Sequence, residues 1–308
     1  MNTSISVVLP TLKRERLLVD TIAALLPQLK EGDEILVIDQ SFAHEAETDT
    51  ALTIWAQRQE IHWVRKTRPS QAEAMNAAAW LATGDILLFL DDDINPSLSL
   101  LDAHRDAHAK DPGLCGLRAG FTALERRSVA QVRNFELGFD TAYAKRAEVI
   151  SLIGANFSMR RARYIKFGGM DENYHGSNYR NDAELAYRIV NRSHRRIAFV
   201  PEASVRHLLA PGGNRAFGAK DTWGGIGGSI GDYYFALRRL PLAASAWHCL
   251  RRLVKEPVNR YTIRRPWLIP GLYLREVVAF SRAVGRIAAH SQNYIKPLDQ
   301  YTDLTSNA

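Results

Sequence analysis

At 308 residues and 34.6 kDa, with 46% hydrophobic and 24% charged residues, the chain is long enough to bury a sizeable core in one large domain or two modest ones, and its composition excludes disorder. Two cysteines, Cys115 and Cys249, are too few for a disulfide framework and too far apart for a metal knuckle, and no apolar run approaches the roughly 20 residues that cross a bilayer. The formal net charge of +7 is a C-terminal property: residues 236–296 carry twelve Lys+Arg against only Glu256 and Glu276, whereas the preceding 235 residues are nearly balanced.

In chain order, residues 5–9 form a short apolar run of β-formers closed by Pro10, which reads as a buried strand ending in a loop. Residues 16–29 place Leu17, Leu18, Thr21, Leu25 and Leu29 at helical spacing, and Gly32 and Asp33 end that helix. Residues 34–38 and 61–64 read as strands around a helix at 52–58; the Ala-rich stretch 71–83 reads as a helix stopped at Gly84; residues 86–90 form a fourth strand. Strands alternating with helices in this way predict an α/β fold with a largely parallel, Rossmann-like central sheet and helices on both faces. Ligands of such sheets bind at the carboxyl ends of the strands, where residues 11–14, 39–41 and 91–93 bring polar groups to one edge. Further on, 151–159 reads as a strand, 182–191 as a helix and 197–201 as another strand. The glycines at 224, 225, 227, 228 and 231 follow no convincing strand and precede no lysine-serine pair, so they read as a flexible loop, suited to a lid, rather than a phosphate cradle.

The chemistry concentrates at Asp91, Asp92 and Asp93. Three consecutive carboxylates directly after an apolar strand repel one another, and a divalent cation removes that cost. Carboxylate oxygens suit Mg²⁺ or Mn²⁺, which bind through one or two carboxylates plus substrate phosphates. Alternation along an extended strand end puts Asp91 and Asp93 on one side and turns Asp92 away. The plain alternative is an acidic loop capping a helix near 95–101.

The segments SVVLPTLKRERLL, EILVIDQS, AEAMNAAAWLATGDILLFLDDDINP, FGGMDENY and NDAELAYR occur in the order found in glycosyltransferase family 2, which the chain resembles over roughly residues 4–210. The resemblance implies a GT-A fold and transfer of a sugar from a nucleotide-diphosphate donor. It implies a domain over 1–210, with a nucleotide-sugar-binding half at 1–110 and an acceptor half at 111–210. A glycine-rich loop at 211–235 and a basic helical extension at 236–308 then complete the expected organisation.

Site residues follow from the same resemblance. Pro10, Thr11, Leu12 and Arg14 are expected to line the nucleotide pocket, with Asp39 accepting a hydrogen bond from the base and Asn76 near the nucleotide. Asp91 approaches ribose or metal, Asp92 belongs to the donor site, and Asp93 holds the metal against the diphosphate. His207 stands where many relatives place a histidine near the metal; on the residue alone it reads as structural. Asp182 falls where the catalytic base is expected, able to take the acceptor hydroxyl's proton in a single inverting displacement, its plain alternative being an ordinary acid at a helix N-terminus. The chain departs from the family at Asn181, where a glutamate is usual, and at Ser70 and Met75, where glycine and arginine are common; Arg68 is the expected substitute for the phosphate contact. Asp171 and Glu172, in a GG-x-DE turn, support the acceptor side or only shape the turn.

The first residues carry no secretory signal, so a cytoplasmic location is expected. The basic block interleaves with Trp247, Tyr261, Trp267, Tyr273 and Phe280, which suits peripheral contact with the anionic inner membrane face; nucleic acid, an oligomer interface and a merely solvated basic face remain the alternatives. The acceptor expected on this reading is a glycan or a lipid-linked molecule in cell-surface polysaccharide synthesis. Competing readings are a sugar nucleotidyltransferase of related fold, which should carry a glycine-rich basic signature after the first strand, and a basic nucleic-acid-binding protein with an inert α/β core.

Overall fold

Strand and helix alternate through the first ninety residues as the periodicities dictate: β1 (Ile5–Thr11), α1 (Arg16–Leu25), β2 (Glu34–Asp39), α2 (Ala46–Gln57), β3 (His62–Lys66), α3 (Gln71–Leu81) and β4 (Ile86–Leu90). The structure is a computed structural model and describes residues 3–122, 146–174, 179–195, 197–208, 210, 225–289 and 294–306. Helix α1 stops at Leu25 rather than 29 because Pro27 has no N–H to continue the ladder, and the chain tightens into a 3₁₀ turn over Leu26–Gln28. Helix α2 starts six residues earlier than its apolar pattern indicates, since only Thr48 and Leu52 are buried on it.

The four N-terminal strands pair in parallel in the order β3-β2-β1-β4, as expected. Alternate side chains serve two cores. Val7, Leu9, Val37 and Leu88 pack with Leu18 and Ile22 of α1 on one face. On the other face Val8, Leu36, Leu87 and Phe89 meet Ala72, Ala74 and Ala78 of α3, whose small side chains let the helix lie close to the sheet.

The second half is mixed rather than parallel. It contributes β5 (Ile94–Pro96), α4 (Leu100–Lys110), β6 (Leu117–Thr122), β7 (Ala147–Val149), β8 (Asn156–Arg160), α5 (Arg161–Phe167), α6 (Asn181–Ser193) and β9 (Ile197–His207). Strand β8 runs antiparallel to β4, β6 lies between β8 and β9, and the long β9 pairs antiparallel with β7 near its start and with β5 at its end. The N-terminal block is therefore all parallel, and the sheet widens from it through antiparallel pairings of β8 with β4 and β6, a parallel pairing of β6 with β9, and antiparallel β7 and β5 on β9.

Helices α7 (Ile226–Arg239), α8 (Leu242–Lys255) and α9 (Ile269–Ala289) follow. This corrects one expectation. Residues 226–235 are helical rather than part of a glycine-rich loop, and the boundary at 236 falls inside α7; residues 211–224 lie outside the described residues. Gly231 serves close packing: a Cβ there would stand 2.3 Å from the Tyr179 carbonyl oxygen. The C-terminal extension is helical through Ala289, as expected, and beyond it β10 (Leu304–Ser306) returns to pair antiparallel with β3 at the edge of the central sheet. On its way the tail is tied down: Ile295 N–H donates to Gly168 O (2.9 Å), Trp80 Nε1 to Lys296 O (2.6 Å), and Lys66 Nζ meets Asp303 (2.7 Å). No described helix is long and apolar enough to cross a membrane.

Candidate active site

Thr11, Asp39 and Asp91 stand at or just beyond the carboxyl ends of three neighbouring parallel strands; Thr11 and Asp39 are register partners. Beyond β4 the chain turns into β5, whose antiparallel ladder with β9 sets Ile94 opposite His207, while Leu208 N–H donates to Asp93 O. That ladder carries His207 to the acid triplet. Its Nε2 lies 3.0 Å from Asp91 Oδ2 and 3.1 Å from Asp93 Oδ1, and one ligand atom from each of the three residues falls within 4.8 Å of the others. Asp93 and His207 are buried and Asp91 is half-buried. A single imidazole nitrogen converging with two carboxylate oxygens is a donor set that fits a divalent cation such as Mn²⁺, with the partly open side at Asp91 left for substrate oxygens.

Asp92, in the bend between β4 and β5, points the other way, as expected. Thr11 Oγ1 donates to its Oδ2 (2.7 Å) and Arg14 Nε to its Oδ1 (3.1 Å), while its carbonyl accepts from Thr21 Oγ1 (3.1 Å). Burial pushes the Asp92 carboxyl up to about 6, against the pull of Thr11 and Arg14. Arg14 reaches on to Asp93, its Nη2 3.1 Å from Oδ2, and the Ala210 N–H donates to the same oxygen at 3.0 Å. Thr11 and Arg14, expected at the nucleotide, are thus placed under the acid triplet: they hold Asp92 and orient Asp93 so that Oδ1 faces His207. Pro10 sits in β1 opposite Ile38, and Leu12, half-buried, lies in the turn that Lys13 makes with φ 52°.

Asp182, half-buried, opens helix α6 after Arg180 in the left-handed region. Its Oδ1 accepts the Ala183 N–H (2.7 Å) and its Oδ2 the Gly154 N–H (3.1 Å). The residue after Gly154, Ala155, accepts from the Asp91 N–H (3.3 Å), so two hydrogen bonds and one peptide unit connect the expected base with the acid triplet. Burial raises the Asp182 carboxyl above its ordinary value despite those two N–H groups. Deeper in the same helix, Glu184 and Arg188 form a buried pair (2.7 Å); Arg188 also donates to the carbonyls of Phe167 and Gly169, and Arg239 of α7 reaches Glu184.

Asp39 is fully buried. His44 Nε2 lies 2.9 Å from its Oδ2, Trp63 Nε1 donates to Oδ2 (3.1 Å), and the Ser41 N–H donates to Oδ1 (2.8 Å). Burial works to raise the Asp39 carboxyl, but His44 and Ser41 outweigh it and hold it below its ordinary value; burial likewise opposes His44, whose bonds to Asp39 and Glu15 keep it above. Neither His44 nor Trp63 was legible as a site residue, although a histidine five positions after a strand-end aspartate was the available signal.

Two expected donor contacts are placed elsewhere. Asn76 is fully buried: its Nδ2 donates to Met170 O and Glu172 Oε1, both at 3.0 Å, and its Oδ1 accepts from Tyr164 Oη and the Met170 N–H, both at 2.8 Å. Both amide hydrogens and both lone pairs are used inside the protein, so Asn76 pins α3 to the turn Gly168–Gly169 instead of facing a nucleotide. Arg68 projects into solvent with its Nε 3.5 Å from Asp303, held to the tail instead of to the acid triplet. Asp171 and Glu172 are buried in the same turn, bonded to Tyr234 and Asn173 and to Tyr301 and Lys296 respectively, so they shape it.

Residues 6–168 match glycosyl transferase family 2. Among solved structures, the mannosyltransferase PcManGT from Pyrobaculum calidifontis in complex with GDP-Man and Mn²⁺ is 18% identical, with a TM-score of 0.57 over 95% of this chain and 77% of that one. Residues 1–349 of S. aureus TarS in complex with UDP-GlcNAc are 16% identical, with a TM-score of 0.60 over 92% and 80%. GalNAc-T7 with UDP, GalNAc and Mn²⁺ is 15% identical, with a TM-score of 0.57 over 81% of this chain and 54% of that one. At these identities the likeness is one of fold, the GT-A arrangement. No curated protein sequence matches the chain.

Proposed function

The chain belongs to glycosyl transferase family 2, and from that membership and the geometry above we propose that it is an inverting, metal-dependent transferase. On this reading it moves a hexosyl group from a nucleotide-diphosphate sugar to a glycan or lipid-linked acceptor in cell-surface polysaccharide synthesis, working in the cytoplasm at the inner membrane face. The observation that carries the proposal is the cluster of Asp91, Asp93 and His207, joined to Asp182 through Gly154 and Ala155.

Asp91, Asp93 and His207 would hold the cation. A divalent ion bound there supplies positive charge where the departing diphosphate develops negative charge, which favours the transition state over the bound donor. Arg14 and the Ala210 N–H fix the Asp93 carboxylate, and the fully buried Asp39, held by His44, Trp63 and Ser41, anchors the next strand end. Asp182 takes the proton of the acceptor hydroxyl as that oxygen attacks the anomeric carbon and the bond to the diphosphate breaks on the opposite face. Its raised carboxyl makes it the better base for that proton.

The nucleotidyltransferase alternative lacks its signature, since Pro10 to Arg14 contain no glycine. The nucleic-acid alternative loses several of its cations, because Arg239, Arg252 and Arg275 turn inward to Glu184, Asp232 and Glu276. The test is a hydrolysis screen of uridine, thymidine and guanosine diphosphate sugars with Mn²⁺ or Mg²⁺. Turnover of at least one donor, abolished by chelation, supports the proposal; silence with every donor, together with no binding of any, overturns it.

A further inference from the structure

Helix α8 and the first half of α9 turn charged side chains inward and large apolar ones outward. Helix α8 turns Ser245, His248 and Arg252 inward, where His248 Nε2 lies 3.0 Å and Arg252 Nη1 2.6 Å from Asp232 Oδ2, and Arg252 Nε 3.0 Å from Glu276 Oε2. Its other face carries Leu242, Trp247, Leu250 and Val254, spaced three to five residues apart and 53–88% exposed. The first half of α9 repeats the inversion: Arg275 and Glu276 are buried while Tyr273, Leu274 and Val277 face out. The segment joining the two helices exposes Ile263 and Trp267, the latter 72% open, beside Arg260, Arg264 and Arg265.

A helix packed on a protein in water turns its apolar stripe inward and its charges outward. Here α8 and the first half of α9, which meet at the Arg252–Glu276 pair, bury His248, Arg275 and Glu276 beside Cys249 and Leu272, and aromatic and aliphatic side chains are left outside, which marks a surface that is covered in use. We infer that this face docks the protein on an anionic lipid surface, lying in the headgroup plane with Trp247, Leu250 and Trp267 inserted. Tryptophan, tyrosine and arginine side by side are the side chains that settle at a membrane interface, the rings at headgroup depth and the cations on anionic lipid.

Charge separates this occupant from a second copy of the chain. Residues 242–289 hold nine Lys+Arg; Arg252 and Arg275 turn inward, which leaves Arg251, Lys255, Arg260, Arg264, Arg265, Arg282 and Arg286 against two acids, Glu256 and Glu276. Glu276 is fully buried, and Glu256 lies 3.7 Å from Arg252 on its own helix. A two-fold interface through this face would set arginines against arginines with no acid to answer them. Anionic headgroups answer them directly.

The inference deepens the membrane-face part of the proposed function and is independent of its donor chemistry. The test is co-sedimentation of the full chain with vesicles of phosphatidylcholine containing phosphatidylglycerol, against phosphatidylcholine alone. Binding is expected to the anionic vesicles and to be at least about tenfold weaker to the neutral ones. The combined variant Trp247→Ser, Leu250→Ser, Trp267→Ser is expected to lose at least about tenfold in anionic-vesicle binding while keeping wild-type Mn²⁺ binding and vesicle-free donor hydrolysis. Arg264→Ala with Arg265→Ala should weaken binding chiefly at low salt. Wild-type protein left in the supernatant, or a triple-serine variant that binds as well as wild type, overturns the inference. So does a wild-type dimer in sedimentation equilibrium that the same variant converts to monomer without any change in vesicle binding. Vesicle binding in a protein that hydrolyses no donor leaves the docking face standing and removes the transferase reading alone.

Discussion

Replacing Asn76 with alanine separates a structural pin from a substrate contact. Glu172 would keep Tyr301 and Lys296, but the Met170 N–H, the Met170 carbonyl and the Tyr164 hydroxyl would each lose a partner in a fully buried setting. At about 1–3 kcal/mol for each stranded group, and toward the lower end where water can enter the vacated volume, the loss comes to about 3–5 kcal/mol. In a protein of this size that corresponds to a fall in melting temperature of about 6–10 °C, at about 2 °C per kcal/mol. The neighbouring geometry leaves little room for repair, because Gly169 holds φ at +62° and a Cβ there would stand 2.3 Å from Asn76 Oδ1. Thermal melts of the full chain, with donor KM measured well below the transition, provide the assay. The expected outcome is the drop in melting temperature with donor KM changed by no more than about twofold. A variant that melts like wild type and shows a donor KM raised by about tenfold or more would refute the reasoning and return Asn76 to the nucleotide.

Asp182→Asn should lower kcat by about 10²–10⁴-fold with Mn²⁺ affinity unchanged, and a parallel loss of Mn²⁺ binding in calorimetry would contradict its role as base. His44 stands above its ordinary 6.5, so its stabilisation is complete below that pH and lost as pH rises through the folded value; Asp39 stands below 3.8, so its part is complete above that pH and lost as pH falls through the folded value. The stability difference between wild type and His44→Gln should therefore be largest at mildly acidic pH and shrink on the alkaline side in urea titrations; a difference that grows with pH is the wrong sign. Gly228 and Gly231 of α7 should respond oppositely to alanine: at 228 the nearest atom is 4.0 Å away and the helix gains up to about 1 kcal/mol, whereas at 231 the Tyr179 carbonyl must shift, with a net loss of about 1–2 kcal/mol. Equal effects at the two positions in denaturant melts would show that Tyr179 does not pack there.

The N-terminal sheet was legible because β1, β2 and β4 are apolar on both faces, a pattern that alternating half-buried strands cannot produce. The convergence of Asp91 and Asp93, with Asp92 turned to Thr11 and Arg14, was also expected, although residues 91–93 form the bend between β4 and β5 and not a continuation of the strand. The route by which His207 arrives was not: it depends on a ladder between Ile94 and His207, separated by more than a hundred residues, and no local pattern encodes that register. The low helix propensity of the α7 glycines is overridden by tertiary packing, with Gly231 letting the helix sit against Tyr179. Arg14, expected to line the nucleotide pocket, also lies 3.1 Å from each of two buried carboxylates, Asp92 and Asp93, a pairing across 78 residues or more that no local pattern encodes. In the C-terminal region the sequence showed many cations, while which of them turn inward depends on Asp232 of α7 and Glu276 of α9, and that pairing inverts α8.

The most direct test of the account is calorimetric titration of Mn²⁺ into the full chain, alone and with UDP or GDP present. One site is expected, tightened by the nucleoside diphosphate, abolished in Asp93→Asn and weakened by about tenfold or more in His207→Ala. Absence of any Mn²⁺ binding with either nucleotide, or binding that survives Asp93→Asn unchanged, would contradict it.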